Sequence, residues 1–428
     1  MVSWAWAFLI VSAFGALMTL NAFLPRRRAL TLLPSFFGGW LTNELAAHNL
    51  AWQMVATVIF AANGALSGWA GWCGLGLTLA SWVGLVVLIR TSRRVGQVVE
   101  QALVEALGAD YRQHLDRRPT AGAADRATDA VPFRELVLPF PGKGRHVERM
   151  RNVVYAEVGG KRLRLDVHRG KGQPSGAPGA PVLLQIHGGA WVVGRKDNQG
   201  QPLLALMAAH GWVCFNANYR LSPRATFPDH LVDLKRALAW IRAHAAEYGG
   251  DPGFVVVTGG SAGGHLAALL ALTANDAEYQ PGFEDADTSV QACIPYYGVY
   301  DFTNRTKAWH KDGFQDFLAR AVLKVSIQED PEAYAKASPI DRVHAGAPPF
   351  FVIHGALDTL APVADARLFV ERLRAASRRP VAYAELPLTQ HAFDVFHSIR
   401  TASAIRGAER FADWVHAHHV GGAAPTIE

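Results

Sequence analysis

The chain has few cysteines for its length: Cys73, Cys214 and Cys293 among 428 residues. They stand far apart in apolar runs, which excludes a disulfide framework and a cysteine zinc site. There is no His-Glu-x-x-His pair, no phosphate-binding P-loop and no dinucleotide-binding glycine fingerprint. No metal and no cofactor is therefore expected. Charge is also sparse, at 18% of residues. It is missing altogether from Val2 to Leu24, from Leu45 to Leu66 and from Gly68 to Ile89. As a helix, each run is long enough to cross a hydrocarbon core about 30 Å thick. A cleaved signal peptide explains the first run poorly, because no basic segment precedes it. A buried soluble helical hairpin is the alternative for the other two.

The net charge of +6 does not point to nucleic acid. Most of it comes from Arg26, Arg27, Arg28, Arg90, Arg93 and Arg94, set against the single acid Glu44 in the first 94 residues. The rest of the chain is nearly balanced, so the basic balance reports membrane flanks and anionic headgroups. The arginine clusters end the first and third apolar runs. The positive-inside rule then puts the N-terminus outside and the large domain in the cytoplasm, as part of an integral membrane protein. If the middle run does not span, the large domain lies outside.

Residues 1–94 thus read as a membrane block of about three transmembrane helices. Residues 95–130 follow as a helix and linker, 131–420 as the large domain with cap elements, and 421–428 as a tail. Val95 to Leu115 has helical period, with Val98, Ala102, Leu103, Ala106 and Leu107 on one face. It is expected either to lie against the membrane or to cover the site. Arg117 to Ala130 has linker composition. Beyond it, Val153–Val158 and Leu163–His168 read as a hairpin joined by Gly159-Gly160. A Gly/Pro-rich loop, Gly170 to Pro181, follows. Short apolar strands then alternate with helices: Val182–Ile186, Trp212–Ala217, Phe254–Val257, Ala292–Tyr296, Phe350–Ile353 and Ala382–Leu386. Helices are expected over Gln201–His210 and Pro228–Ala246. That alternation implies an α/β fold, a mostly parallel sheet with helices on both faces.

Thr258-Gly259-Gly260-Ser261-Ala262-Gly263-Gly264 joins one of these strands to the helical run His265–Leu270. Strand, Gly-x-Ser-x-Gly, helix is the context of a nucleophile elbow. Its small flanking residues allow a sharp turn, and the helix N-terminus favours developing negative charge.

A serine needs a base and an orienting acid. Asp358 lies on the exit of the strand Phe350–Ile353, and His391 follows the strand Ala382–Leu386. The order Ser, Asp, His after successive strands is the one this fold needs. Among the 17 histidines, His354 is too close to the acid's strand and His397 falls in the following helical run. As rival acids, Asp394 is only three residues past His391, and Asp301 stands away from a suitable strand end. Oxyanion donors are expected from the loop His187-Gly188-Gly189-Ala190-Trp191, from the N–H groups of Gly188, Gly189 and Ala190, together with that of Ala262. His187 is expected to anchor this loop. Tyr296, Tyr297, Tyr300, Phe302, Trp309, Phe314 and Phe317 read either as a lid or acyl channel, or as the core of an inserted helix pair.

These motifs, with Asn218-Tyr219-Arg220-Leu221-Ser222-Pro223 and Asp251-Pro252 between them, resemble the hormone-sensitive-lipase-like esterases of the α/β-hydrolase superfamily. The resemblance covers roughly residues 150–418. Two departures show: Ala190 replaces a third glycine in the donor loop, and Ser222-Pro223-Arg224 replaces Ala-Pro-Glu. Alanine keeps the N–H but leaves less space. The N-terminal block looks like that of membrane-attached bacterial esterases and anchored arylacetamide deacetylases. The resemblance implies a serine carboxylesterase or lipase-like hydrolase acting on a small acyl ester, with a lipid among the candidates. An amidase or deacetylase using the same triad is one alternative, and a non-catalytic membrane scaffold is another.

Overall fold

Among the described residues, eight strands form one sheet in the order β1-β2-β4-β3-β5-β6-β7-β8. The computed structural model describes residues 3–27, 29–115, 133–140, 146–172, 179–309 and 313–422. The expected linker Arg117–Ala130, Arg28, the middle of the Gly170–Pro181 loop and tail residues 423–428 lie outside them. The strands are β1 (Val147–Val158), β2 (Lys161–Gly170), β3 (Ala180–Ile186), β4 (Val213–Ala217), β5 (Gly250–Gly260), β6 (Ala292–Tyr296), β7 (Phe350–Gly355) and β8 (Val381–Leu386). Strands β1, β2 and β4 pair antiparallel, and β4-β3-β5-β6-β7-β8 are parallel. Gly159 and Gly160, at φ 56° and 73°, make the two-residue turn between β1 and β2. Both positions of such a turn need the left-handed region that glycine enters without penalty.

Alternate residues of the parallel strands go to opposite faces. On one face Val182, Leu184, Ile186, Val255 and Val257 pack with two helices, Asp229–His244 and Ala262–Leu272. On the other, Leu183, Cys214, Val256, Ile294 and Phe351 pack with Gln201–Ala209 and Ile399–Val420. Both faces are therefore dry, which is why the strands read as continuous apolar runs.

The described residues of the N-terminal region include four α-helices: α1 (Trp4–Phe23), α2 (Ala29–Glu44), α3 (Ala46–Ala62) and α4 (Trp69–Leu107). Among the described residues, α1 and α4 are each long and apolar enough to cross a membrane; α2 and α3 form a pair bent by 89°. Helices α1 and α4 run in the same direction. Ser12 bonds Thr78 at 2.8 Å and Thr19 bonds Ser81 at 2.8 Å. Helix α3 runs the opposite way, with Phe60 against Trp4 and Phe8. Small and hydroxyl side chains at these crossings suit helices that meet in an apolar medium.

Two expectations change here. The boundary expected after Arg94 falls inside α4, which runs unbroken from Trp69 to Leu107. The helix expected over Val95–Leu115 is the second half of α4, ends at Leu107 and packs on the sheet. Its Val95, Val99, Ala102 and Leu103 belong to the core on the β8 side of the sheet. Helix α2 occupies a stretch for which no element was expected. Its Thr31, Pro34, Gly38 and Gly39 read poorly as a helix in sequence, and tertiary contacts supply what propensity does not.

Candidate active site

Ser261 sits between β5 and the helix Ala262–Leu272 with φ 60° and ψ −122°. That is a strained region for a residue with a Cβ, held because the neighbours leave no alternative. The Ser261 N–H donates to the Tyr296 carbonyl at 3.0 Å, and the Ser261 carbonyl accepts from His265 N at 3.0 Å. A Cβ on Gly263 would lie 2.2 Å from the Ile186 oxygen. Only glycine lets the helix approach β3 this closely, which aims the serine hydroxyl past the strand ends.

Asp358 follows β7 and is fully buried. Its Oδ1 accepts the N–H groups of Leu360 (2.8 Å) and Ala361 (2.7 Å), and its Oδ2 lies 2.7 Å from His391 Nδ1. Burial alone would raise the carboxyl, but the charge and hydrogen bond of His391, with His354 and the Ala361 amide, outweigh it and hold it below its ordinary value. An ionised Asp358 only accepts, so the His391 proton sits on Nδ1 and Nε2 is the basic atom. Gln390 ties the two loops together: its Oε1 accepts from Thr359 N (2.8 Å) and His391 N (3.0 Å).

The tyrosines at the end of β6 connect serine to histidine. Tyr297 packs against the His391 ring at 4.5 Å, and a Cβ on Gly260 would meet the Tyr297 hydroxyl at 2.7 Å. The Tyr297 hydroxyl donates to Asp394, whose carboxyl is pushed up by burial. Asp394 therefore serves Tyr297. Asp301 is consumed by its own loop, accepting from Thr303 N and Arg305 N. His354 Nε2 donates to the Ala361 carbonyl at 2.9 Å and stays 3.5 Å from Asp358 Oδ2. It supports the acid's turn, and its position at i−4 from Asp358 was the only signal for this. His397 precedes the last helix, its N–H donating to the Pro139 carbonyl.

The donor loop follows β3. Gly189, Ala190 and Trp191 have φ 118°, 50° and 62°. A Cβ on Gly189 would lie 2.1 Å from the Val193 oxygen, so that position requires glycine. The N–H groups of Gly189 and Ala190 donate to no protein acceptor among the described residues. Ala262 opens its helix, and the first N–H groups of a helix have no intrahelical partner. Gly188 is a correction: its N–H donates to Gln199 Oε1 at 2.6 Å, so it shapes the loop and is not a spare donor. Gly188 nevertheless abuts Ser261, since a Cβ there would lie 3.0 Å from Ser261 Cβ. His187 anchors the loop by stacking on Tyr219 at 4.5 Å, and Tyr219 donates to the His187 carbonyl.

Of the aromatic segment, Tyr296, Tyr297, Tyr300 and Phe302 are core residues. Tyr300 stacks on Phe369 at 4.4 Å and Phe302 on His265 at 4.6 Å. Trp309, Phe314 and Phe317 pack part-buried on that core. Sequence reasoning missed Gln390, Gln199 and the direct role of Tyr297 beside His391, because nothing in local spacing marks a long-range hydrogen-bond partner.

A family model described as BD-FAE matches residues 165–373. A probable carboxylic ester hydrolase, LipM of Mycobacterium tuberculosis, is 42% identical over 97% of this chain and 95% of its own length. Esterase LipQ of the same organism is 42% identical over 77% of each chain. Among solved structures, a thermophilic esterase from Thermogutta terrifontis with butyrate bound matches with a TM-score of 0.54. It is 25% identical, over 67% of this chain and 99% of that one. The relatives, the strand order and the motifs agree: the chain belongs to the hormone-sensitive-lipase-like esterases of the α/β-hydrolase superfamily and is a carboxylic ester hydrolase.

Proposed function

We propose that this esterase works by a two-step acyl transfer centred on Ser261. His391 Nε2 takes the serine proton as Oγ attacks the ester carbonyl. Asp358 fixes the imidazole tautomer and stabilises the imidazolium without taking its proton. The N–H groups of Gly189, Ala190 and Ala262 hold the oxyanion. His391 then returns its proton to the departing alcohol, and water repeats the sequence on the acyl-enzyme. The observation that carries this reading is the 2.7 Å bond between His391 Nδ1 and a buried Asp358, reached across Tyr297 from a strained Ser261. Labelling with a fluorophosphonate probe tests it. Wild type should label and Ser261→Ala should not; equal labelling, or none in either, removes the reading. On matched p-nitrophenyl esters and anilides, esters should turn over faster.

The reading extends to the enzyme's setting. Helices α1, α3 and the first half of α4 are three crossings, and α2 lies along the boundary between them and the catalytic domain. Their alternating directions support this, as do Arg26 and Arg27 after α1 and Arg90, Arg93 and Arg94 within α4. The catalytic domain is then cytoplasmic, and an ester that partitions into lipid is the favoured substrate. A reporter active only in the periplasm, fused after Glu428, should stay silent; activity would reverse the orientation.

A further inference from the structure

Helix α2 is bonded to α1 on one side and to the loops of Asp358 and His391 on the other. Toward α1, Asn21 Nδ2 donates to the Ser35 carbonyl at 2.7 Å, and the Ser35 hydroxyl bonds Asn21 Oδ1 at 2.5 Å. Gly38 lets α2 settle against Met18, where a Cβ would be 3.0 Å from the sulfur. Toward the catalytic domain, Phe36, Trp40 and Glu44 fall at i, i+4 and i+8, on one helix face. Trp40 Nε1 donates to the Ala392 carbonyl at 2.8 Å, and its ring packs on Phe396 at 4.8 Å. Phe36 stacks on Trp40 at 5.7 Å and presents its edge region to the His391 ring at 6.3 Å. Arg27, just before α2, donates from Nη2 to the Asp358 carbonyl at 3.3 Å. Farther along, Ser398 donates to Glu44 at 2.7 Å, and Arg400 donates to the Asn43 carbonyl at 2.7 Å.

The residue that Trp40 grips is unusual. Ala392 follows His391 directly and adopts φ 57° and ψ 33°, the left-handed region that alanine enters only at a cost. Such a conformation persists where surrounding groups over-determine it. The indole N–H is one such group, because it fixes the direction of the Ala392 carbonyl and with it the exit of the chain from His391. Phe36 adds a ring contact to the imidazole itself, at 6.3 Å between centroids. Neither ring needs to touch substrate to have this effect.

We propose that Trp40 is a positioning residue for His391, assisted by Phe36, so that the N-terminal helical block is a working part of the catalytic site in addition to an anchor. The proposal rests on His391 being the base. It predicts a dependence of turnover on a hydrogen bond that starts in the membrane-proximal block and ends one residue past the base.

The test uses the full-length enzyme in detergent micelles with a soluble p-nitrophenyl ester. Trp40→Phe keeps an aromatic ring at the position and removes the N–H together with the five-membered half of the indole. Phe36→Leu keeps an apolar side chain and removes the aromatic face. Trp4→Phe, at the far end of α1, is the control for disturbing the block as such. Misplacing a catalytic group by a fraction of an ångström to an ångström costs up to about a hundredfold. Trp40→Phe should therefore lower kcat by about tenfold with KM nearly unchanged, and lower the fluorophosphonate labelling rate in parallel. Phe36→Leu should act in the same direction, and Trp4→Phe should leave both constants alone. Thermal melts confirm that each variant is folded at the assay temperature. Unchanged kcat in folded Trp40→Phe, a change in KM alone, or equal losses in Trp40→Phe and Trp4→Phe overturns the proposal. If Trp40→Phe does not fold, Phe36→Leu decides on the same criteria. Turnover that survives in Ser261→Ala would instead sink the serine mechanism itself, whatever Trp40 does.

Discussion

The indole N–H of Trp191 donates to His265 Nδ1 at 3.1 Å, so a neutral histidine in the helix behind Ser261 holds the residue that ends the glycine loop after β3. An indole nitrogen can only donate. Nδ1 therefore carries no proton, and the proton is on Nε2, which donates to the Ala337 carbonyl at 2.7 Å. The acceptor role of Nδ1 requires an uncharged imidazole, and burial outweighs the Ala337 hydrogen bond, which by itself favours the charged form. Burial presses its pKa down from 6.5 to about 3. A proton on Nδ1 would remove the acceptor and release Trp191, and with it Ala190 one residue earlier.

That arrangement gives stability a definite pH dependence. The unfolded chain binds a proton at this histidine near pH 6.5, whereas the folded chain resists it until about pH 3. Stability from His265 is thus fully present above pH 6.5 and is lost as pH falls through that window. His187 and His230, pressed down to about 4 by burial, add the same sign. Melting temperature should fall steadily from pH 7 to pH 5, and His265→Gln should show a shallower fall from a lower start. Thermal melts across that range check it; a slope identical in wild type and variant would contradict the account.

Two buried aspartates flank the base loop, and their different partners separate them in function. Asp358 accepts from His391 Nδ1, while Asp394 accepts from Tyr297. Asp358→Asn would leave the imidazole in the wrong tautomer, and losses of about 10⁴ in kcat accompany that change in serine hydrolases. Asp394→Asn keeps an acceptor for the Tyr297 hydroxyl, so its cost should stay under about tenfold, on the order of 1 kcal/mol. Steady-state kinetics of the two variants should therefore differ by orders of magnitude. Comparable losses would mean that the acid has been misassigned.

Much of this site was legible because its motifs are local. The elbow at Ser261, the donor loop at Gly189 and Ala190, and the strand exits carrying Asp358 and His391 each advertise themselves within a few residues. The mostly parallel sheet was legible from apolar runs buried on both faces, such as Phe254–Val257, although the order of its strands was not. What stayed hidden depends on contacts across long separations. Gln199 takes the Gly188 N–H, and Gln390 bridges the acid and base loops. Helix α2 lies between the first two apolar runs, where no element was expected. Pro34, Gly38 and Gly39 argue against helix, and only packing on α1 and on the His391 loop makes it one. The boundary after Arg94 misled because a charge cluster marks where a membrane ends, not where a helix ends.

Ala190 stands where relatives of this kind carry a third glycine, and its φ of 50° shows the consequence. An alanine held in the left-handed region costs about 1 kcal/mol or more relative to glycine, which enters it freely. Ala190→Gly should leave stability unchanged or slightly raised, since glycine's gain in the fold offsets its greater freedom when unfolded. The N–H remains, so kcat on small esters should hold within about threefold, far less than the 10²–10³ lost with a donor. Removing the methyl also opens space at the loop, so kcat/KM on esters of branched acids should rise relative to small ones. An acyl-chain panel on wild type and variant reads this directly; unchanged preference would place Ala190 Cβ outside the acyl path.

The continuity of α4 predicts how the chain tolerates shortening. Val95, Val99, Ala102 and Leu103 are buried against the sheet, and a Cβ on Gly407 of the last helix would lie 2.2 Å from Val99 Cγ1. Fully burying a side chain of this kind contributes about 1.5–3 kcal/mol. Losing the segment therefore removes an amount comparable to the whole stability of an ordinary domain, about 5–15 kcal/mol. A chain beginning at residue 131 should be insoluble or molten, although it contains every strand and every candidate site residue. A chain beginning at Thr91 keeps the second half of α4 and should give a cooperative melt. It should also turn over more slowly than the full chain, because α2 and its bond to Ala392 are gone. Parallel expression, size-exclusion chromatography and thermal melts of the two shortened chains make the comparison. Equal behaviour would show that the packing of α4 on the sheet is dispensable.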